Sequence, residues 1–218
     1  MKEVNLLKDL PVPKRNLKKR SFLKTKDVIE TSKEYGELYF DGPREYGYGG
    51  YKYDGRWKPV AKNIINYYEL KEGDCVLDIG SAKGFLIHDL INACPGLNIF
   101  GLDISEYAIN KSYGDSIGSA CMGTAEALPF KTNYFDLVIS INTIHNLIRQ
   151  KAINALKEIQ RVSRGKSFIQ VDSYFTKEQK DLFEEWVPTA QFHDYPGGWL
   201  EVFKEAGYMG DYYWTVIQ

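Results

Sequence analysis

The stretch Cys75-Val76-Leu77-Asp78-Ile79-Gly80-Ser81-Ala82-Lys83-Gly84 decides how this chain is read. Its first half is a short apolar run, the length and composition of a buried strand. A turn of mostly small residues follows, and then an amphipathic segment from Gly84 to about Ala93 that Pro95-Gly96 stops. A buried strand, a tight small-residue turn and a helix together open a βαβ unit. Small side chains at 80, 81, 82 and 84 let a ligand approach the backbone, and the free N–H groups of such a loop can bind its polar atoms.

The same alternation continues downstream. Strands are expected at Asn98–Asp103, 119–123, Asp136–Ile141, 168–172 and 212–217. Helices are expected from Ser105, which caps its own helix, and over 148–162, 177–186 and 199–206, the last ended by Gly207. Upstream, Pro59 fits the first turn of a helix carrying Val60, Ile64, Tyr67 and Tyr68. Strands alternating with helices predict an α/β fold, a three-layer αβα sandwich. Its doubly wound sheet is expected to be mostly parallel, with six or seven strands and a C-terminal antiparallel strand. Ligands in such sheets lie at the carboxyl ends of the strands, where strand order reverses.

The loop at 78–84 distinguishes between cofactors. A dinucleotide fingerprint counted from Gly80 requires glycine at 82 and 85, where this chain has Ala82 and Phe85. The spacing present, Asp78-x-Gly80-x-x-x-Gly84, resembles motif I of the class I, Rossmann-like S-adenosylmethionine (SAM)-dependent methyltransferases, with Ala82 in place of the usual middle glycine. Gly123-Thr124-Ala125-Glu126-Ala127-Leu128-Pro129-Phe130 is similar to that family's adenine-recognising segment, and Phe135-Asp136-Leu137-Val138 to its fourth strand. The resemblance covers about residues 60–175. It implies SAM as cofactor, S-adenosylhomocysteine (SAH) as product, and no metal. It also implies that Asp78, Gly80, Ser81, Ala82 and Gly84 cradle the amino-acid end, that Asp103 and Ile104 meet the ribose, and that Thr124, Ala125 and Glu126 meet adenine. Asn142, in the loop after the fourth strand, faces the methyl group. The Asn/Asp-Pro-Pro-Tyr/Phe signature of base amino-methyltransferases is absent from that loop.

His145 lies in the same loop and is the candidate general base, since imidazole titrates near neutrality. Glu126 and Asp172, the latter at the end of the fifth strand, are secondary candidates, and His145 and Asp172 are also candidate substrate contacts. Residues 35–57 hold eight aromatic side chains and six glycines, and form a candidate cap or lid. From it Tyr46, Tyr48, Tyr51, Arg56 and Trp57 are candidate substrate contacts, with Arg44 a further anchor for an acidic group.

Bulk properties limit the remaining choices. The chain has 218 residues, enough for one α/β domain, here assigned to 58–218. Residues 1–26 carry nine Lys/Arg against Glu3 and Asp9, leaving an acidic body; residues 1–34 are expected to be a basic, partly disordered arm. Cys75, Cys94 and Cys121 lack CxxC spacing and read as reduced core residues of a cytoplasmic protein. His88, His145 and His193 lack metal-ligand spacing, and no apolar stretch spans a bilayer. The expected activity is methyl transfer to an O or N atom of a small polar metabolite, such as a sugar or nucleotide-linked sugar, by a monomer or homodimer without a nucleic-acid partner. The alternatives are an RNA or protein methyltransferase docked through the basic arm, and a non-catalytic SAM-binding module.

Overall fold

A computed structural model describes residues 1–11 and 24–217. Lys14, Arg15, Lys18, Lys19 and Arg20 of the expected basic arm lie outside the described residues.

Two short helices, α1 (Lys26–Ser32) and α2 (Glu37–Phe40), precede α3 (Lys58–Tyr68). The alternating region follows: β1 (Cys75–Ile79), α4 (Phe85–Ala93), β2 (Asn98–Asp103), α5 (Glu106–Asn110), β3 (Ala120–Met122) and β4 (Leu137–Ile141). Then come α6 (Arg149–Val162), β5 (Ser167–Asp172), α7 (Lys177–Trp186), α8 (Pro196–Ala206) and β6 (Asp211–Thr215). The strands form one sheet in the order β3-β2-β1-β4-β5-β6.

Strand periodicity explains the layers. Val76, Leu137, Ile139 and Phe168 point to one face, where they pack with Val60 and Ile64 of α3 and Leu90 of α4. Their neighbours Leu77, Val138 and Ile169 point to the other face, against Leu156 of α6 and Phe203 of α8. Burial on both faces is why these strands are apolar throughout rather than alternating.

The structure corrects three expectations. The last strand is parallel, with Phe168 opposite Asp211 and Asp172 opposite Thr215. Helices α7 and α8 form the crossover between β5 and β6, and a helical crossover returns the chain in the same direction. Second, the start of the arm is packed. Glu3 bridges to Tyr212, Val4 N–H donates to Tyr212 O at 2.9 Å, and Leu6 and Leu7 are buried in the α3 face of the core. The apolar residues between the lysines account for this. Third, Cys121 is exposed on the edge strand β3, while Cys75 and Cys94 are half-buried; all three are free thiols.

Strand order reverses between β1 and β4. The loops after these strands, at Gly80 and Asn142, therefore splay apart and open a crevice. No helix among the described residues is long and apolar enough to cross a membrane.

Candidate active site

The crevice is a cavity of about 460 Å³ at the carboxyl ends of β1, β2 and β4. Gly80, Ala82, Asp103, Ile104, Thr124, Ala125, Glu126 and Asn142 all line it. Gly80 has φ +80, and a Cβ there would come within 1.9 Å of Thr143 Oγ1, so the loop can turn this tightly against the β4 loop only with glycine. Ala82 at φ 48 and Asn142 at φ 56, in the loops after β1 and β4, take left-handed backbone without being glycine. Hydrogen bonds hold both. Ala82 N–H donates to Asp103 Oδ2 at 2.7 Å, and Asn142 N–H donates to Gln170 Oε1 at 2.8 Å.

Three of the expected cofactor residues sit behind the wall. Ser81 is buried with its hydroxyl unpartnered. Gly84 packs against Ser116, where a Cβ would lie 2.3 Å from the hydroxyl oxygen. Asp78 is 4% exposed; burial, with a smaller push from the Asp103 charge, raises its pKa to about 7. Burial also raises the Asp103 carboxyl, opposed by N–H donors that include Ser105 at 2.8 Å and Ala82. Each Asp103 oxygen accepts one of these N–H bonds and keeps a second acceptor position for a hydroxyl.

A second cavity of about 300 Å³ adjoins the first. Tyr39, Tyr48, Asn142 and Asn146 line both. His145, Asp172, Arg44, Arg56, Tyr51 and Trp57 line the second alone, whereas Tyr46 lines neither. His145 is 3% exposed, and burial outweighs the Asp172 charge to lower its pKa, so the ring is neutral at pH 7. Its Nδ1 accepts the Asp172 backbone N–H at 3.3 Å, and its Nε2 stands 3.9 Å from Asp172 Oδ2. A neutral imidazole has one lone pair. With that pair on Nδ1 engaged, the proton belongs on Nε2, facing the carboxylate. This arrangement suits holding Asp172 better than removing a proton from a substrate.

The Tyr/Gly segment supplies a wall of the first cavity through Tyr35, Tyr39, Phe40 and Tyr48. It is anchored to the Gly80–Gly84 loop by a residue that the motif leaves unspecified. Buried Lys83 donates to both Asp41 oxygens, at 2.7 and 2.6 Å, and to Tyr51 O at 3.0 Å. Tyr107 OH also donates to Asp41, at 2.8 Å, and Tyr51 stacks on Phe85 with ring centroids 4.5 Å apart. Burial acts to raise the Asp41 pKa, but the bonds from Lys83 and Tyr107 outweigh it and hold the carboxyl below its usual range. Lys83 and Asp41 could not be paired by sequence pattern, because the pair forms only in the folded chain.

Residues 77–169 match a family model described as a methyltransferase domain. The chain is 36% identical over 110 residues to "Uncharacterized protein MJ1252" of Methanocaldococcus jannaschii, covering 50% of this chain and 41% of that protein. It is 32% identical over 97 residues to the mitochondrial arginine-hydroxylase NDUFAF5 of Mus musculus, covering 43% and 28%. The chain thus spans less than half the length of the curated relatives it matches. Among solved structures, it superposes with TM-score 0.56 on a complex of the Haloferax volcanii Trm112 methyltransferase activator with a candidate methyltransferase, at 24% identity over 71% of this chain and 73% of that one. At that identity the superposition speaks for the fold alone, and it agrees with the strand order: the chain has a Rossmann-like methyltransferase fold, and its residues 77–169 are similar to a methyltransferase domain.

Proposed function

We propose that the chain transfers a methyl group from SAM to an oxygen or nitrogen atom of a small acceptor molecule. The observation that carries this reading is the junction of the two cavities at Tyr39, Tyr48, Asn142 and Asn146. A nucleoside-sized chamber built like the family's cofactor site meets a smaller chamber containing a carboxylate and an imidazole. That is the layout that a two-substrate transfer requires.

The lining of the first cavity fits the cofactor. Ala82 and Gly80 bring bare backbone to its edge, Asp103 keeps acceptor positions for two ribose hydroxyls, and Thr124 and Ala125 lie where the adenine would be met. Asp78, once ionised, favours the ammonium of the amino-acid end. Bound SAM supplies a methyl group on a positively charged sulfur, which is already a good leaving group. The chain's own contribution is then placement, exclusion of water and removal of one proton. Tyr39, Phe40 and Tyr48 close the cofactor chamber on the cap side. Asp172 accepts the proton of the attacking hydroxyl or amine, and His145 positions that residue, its Nδ1 accepting the Asp172 backbone N–H while Nε2 stands 3.9 Å from the carboxylate.

Titration calorimetry with SAM and SAH, followed by SAH-release assays across hydroxyl and amine acceptors, tests the proposal. Binding with turnover supports it. Binding without SAH release from any acceptor leaves a binding module, and absence of binding ends the reading.

A further inference from the structure

Asn146 lines both cavities, and its neighbours brace all but one of its polar atoms. Its backbone N–H donates to Thr143 O at 3.0 Å, its carbonyl accepts from Gln191 Nε2 at 2.7 Å, and its Nδ2 donates to Asn142 O at 3.1 Å. These bonds fix the side-chain amide, with its oxygen end set by the loop itself. That oxygen, Oδ1, is buried and has no hydrogen-bond partner among the described residues. A buried acceptor in that state costs stability, which a hydrogen of a ligand would recover.

A second acceptor belongs to the same wall. Asn146 follows His145, whose Nδ1 accepts the Asp172 backbone N–H, and Asp172 lines the second cavity beside them. The strand-end part of that wall therefore presents oxygen acceptors. The part contributed by the Tyr/Gly segment presents donors instead. Arg44 and Arg56 lie there, Arg56 paired with Asp54. So does Trp57, whose Nε1 is buried without a complete hydrogen bond and lies toward the Tyr51 hydroxyl.

Two acceptors set a hydrogen count on the attacking atom. A hydroxyl carries one hydrogen and can serve one of them, whereas a primary or secondary ammonium carries enough to serve both. We infer that the second cavity takes a small primary or secondary amine, its nitrogen held between Asn146 Oδ1 and the Asp172 carboxylate. A carbonyl or carboxylate oxygen at the other end of the molecule faces the donors of the Tyr/Gly segment. This rests on the methyl-transfer reading and narrows its acceptor atom to nitrogen. Asp172 takes one proton from the ammonium, and the freed lone pair forms the N–C bond as the C–S bond breaks. The electrons of that bond stay on sulfur, giving neutral SAH, while Asn146 keeps the second hydrogen engaged. The product leaves as the methylated ammonium, and Asp172 returns its proton to water.

β-Alanine, its N-methyl and N,N-dimethyl derivatives and its hydroxyl analogue are titrated into the SAH-saturated protein and into the free protein. The side-chain amide resonances of Asn146 serve as the reporter. β-Alanine and the N-methyl compound are expected to shift those resonances saturably. The dimethyl compound keeps the charge with a single N–H, and the hydroxyl analogue has a single O–H, so each should bind weaker by about tenfold or more. Asn146→Leu should erase most of this preference, and Asn146→Asp, which keeps an oxygen there, should retain it. A purely structural role would weaken all four compounds alike. The hydroxyl analogue binding as tightly as β-alanine would overturn the inference, as would no β-alanine binding in either form of the protein. Unmoved Asn146 resonances, or an unchanged preference in folded Asn146→Leu, would do the same. Failure of SAH to bind counts against the methyl-transfer reading, while the free-protein titrations still decide the amine preference.

Discussion

Lys83 Nζ stands 2.6 Å from Asp41 Oδ2, a contact that helps tie the Gly80–Gly84 loop to the aromatic segment that walls the first cavity. Lys83 is buried, and the Asp41 side chain is about one quarter exposed, so solvent screens the pair only in part. Removing either partner leaves the other charge poorly solvated. Lys83→Met and Asp41→Asn should each destabilise the fold by about 1–3 kcal/mol, the range for lost bonds to charged groups. The double variant should cost clearly less than the sum. Urea denaturation of the four proteins checks this, and additive losses would mean the two residues act separately.

SAM affinity should depend on pH through Asp78. Burial and Asp103 hold this carboxyl at about 7 instead of the ordinary 3.8. In the free protein the folded state therefore keeps a proton that the unfolded state releases, and the stability contributed by this group falls as pH rises from 3.8 to about 7. The ammonium of the cofactor favours the ionised form. Affinity should rise with pH up to about 7 and then level off. Calorimetry from pH 5.5 to 8 with the native protein and Asp78→Asn checks it; an equally steep rise in the variant would assign the effect to another group.

Ala82→Gly should be tolerated. A left-handed non-glycine residue carries roughly 1–2 kcal/mol of strain, and Ala82 sits at φ 48. Glycine removes that strain but costs about 0.5–1 kcal/mol in chain entropy. The expected net is a stabilisation of about 0–1.5 kcal/mol, with the backbone N–H bond of residue 82 to Asp103 retained. Thermal melts and SAM titrations measure both; a marked loss of stability would show that the methyl group of Ala82 packs against something the turn needs.

Asp172→Asn and His145→Gln separate base from support. If Asp172 takes the proton, its loss should lower kcat by about 10²–10⁴-fold with little change in SAM affinity. His145→Gln should cost less, because glutamine can still present an amide N–H donor toward the carboxylate. The reverse order, with His145→Gln the more damaging, would return the base role to the imidazole.

Most of the sheet was legible in the chain, for physical reasons. Cys75–Ile79 and Asn98–Asp103 are apolar runs bounded by Asp, Gly and Pro, and their bounds agree with β1 and β2. Ser105 and Gly207 act locally as a helix start and stop, the first accepting from Ala108 N–H and the second at φ 66. The direction of β6 was not legible, because it depends on how the α7–α8 crossover returns rather than on any pattern within residues 211–215. Helices α1 and α2, of seven and four residues, are too short for periodicity to reveal and are held by what surrounds them. For the site, sequence spacing marked the residues at strand ends that line the first cavity. Of the second cavity it marked single residues, among them Tyr51, Trp57, His145 and Asp172, but not the wall that joins them with Leu7 and Trp186. The protonation of His145 was equally hidden, since it turns on a backbone N–H contributed by Asp172.

The bridge between Glu3 and Tyr212 joins two segments far apart along the chain. Bringing them together closes a loop of about two hundred residues, an entropic cost that grows only slowly with length but must be met before the pairing returns anything. The Val4 and Lys2 backbone bonds to Tyr212 therefore have no partner until β6 is in place, and this edge of the sheet is expected to zip last.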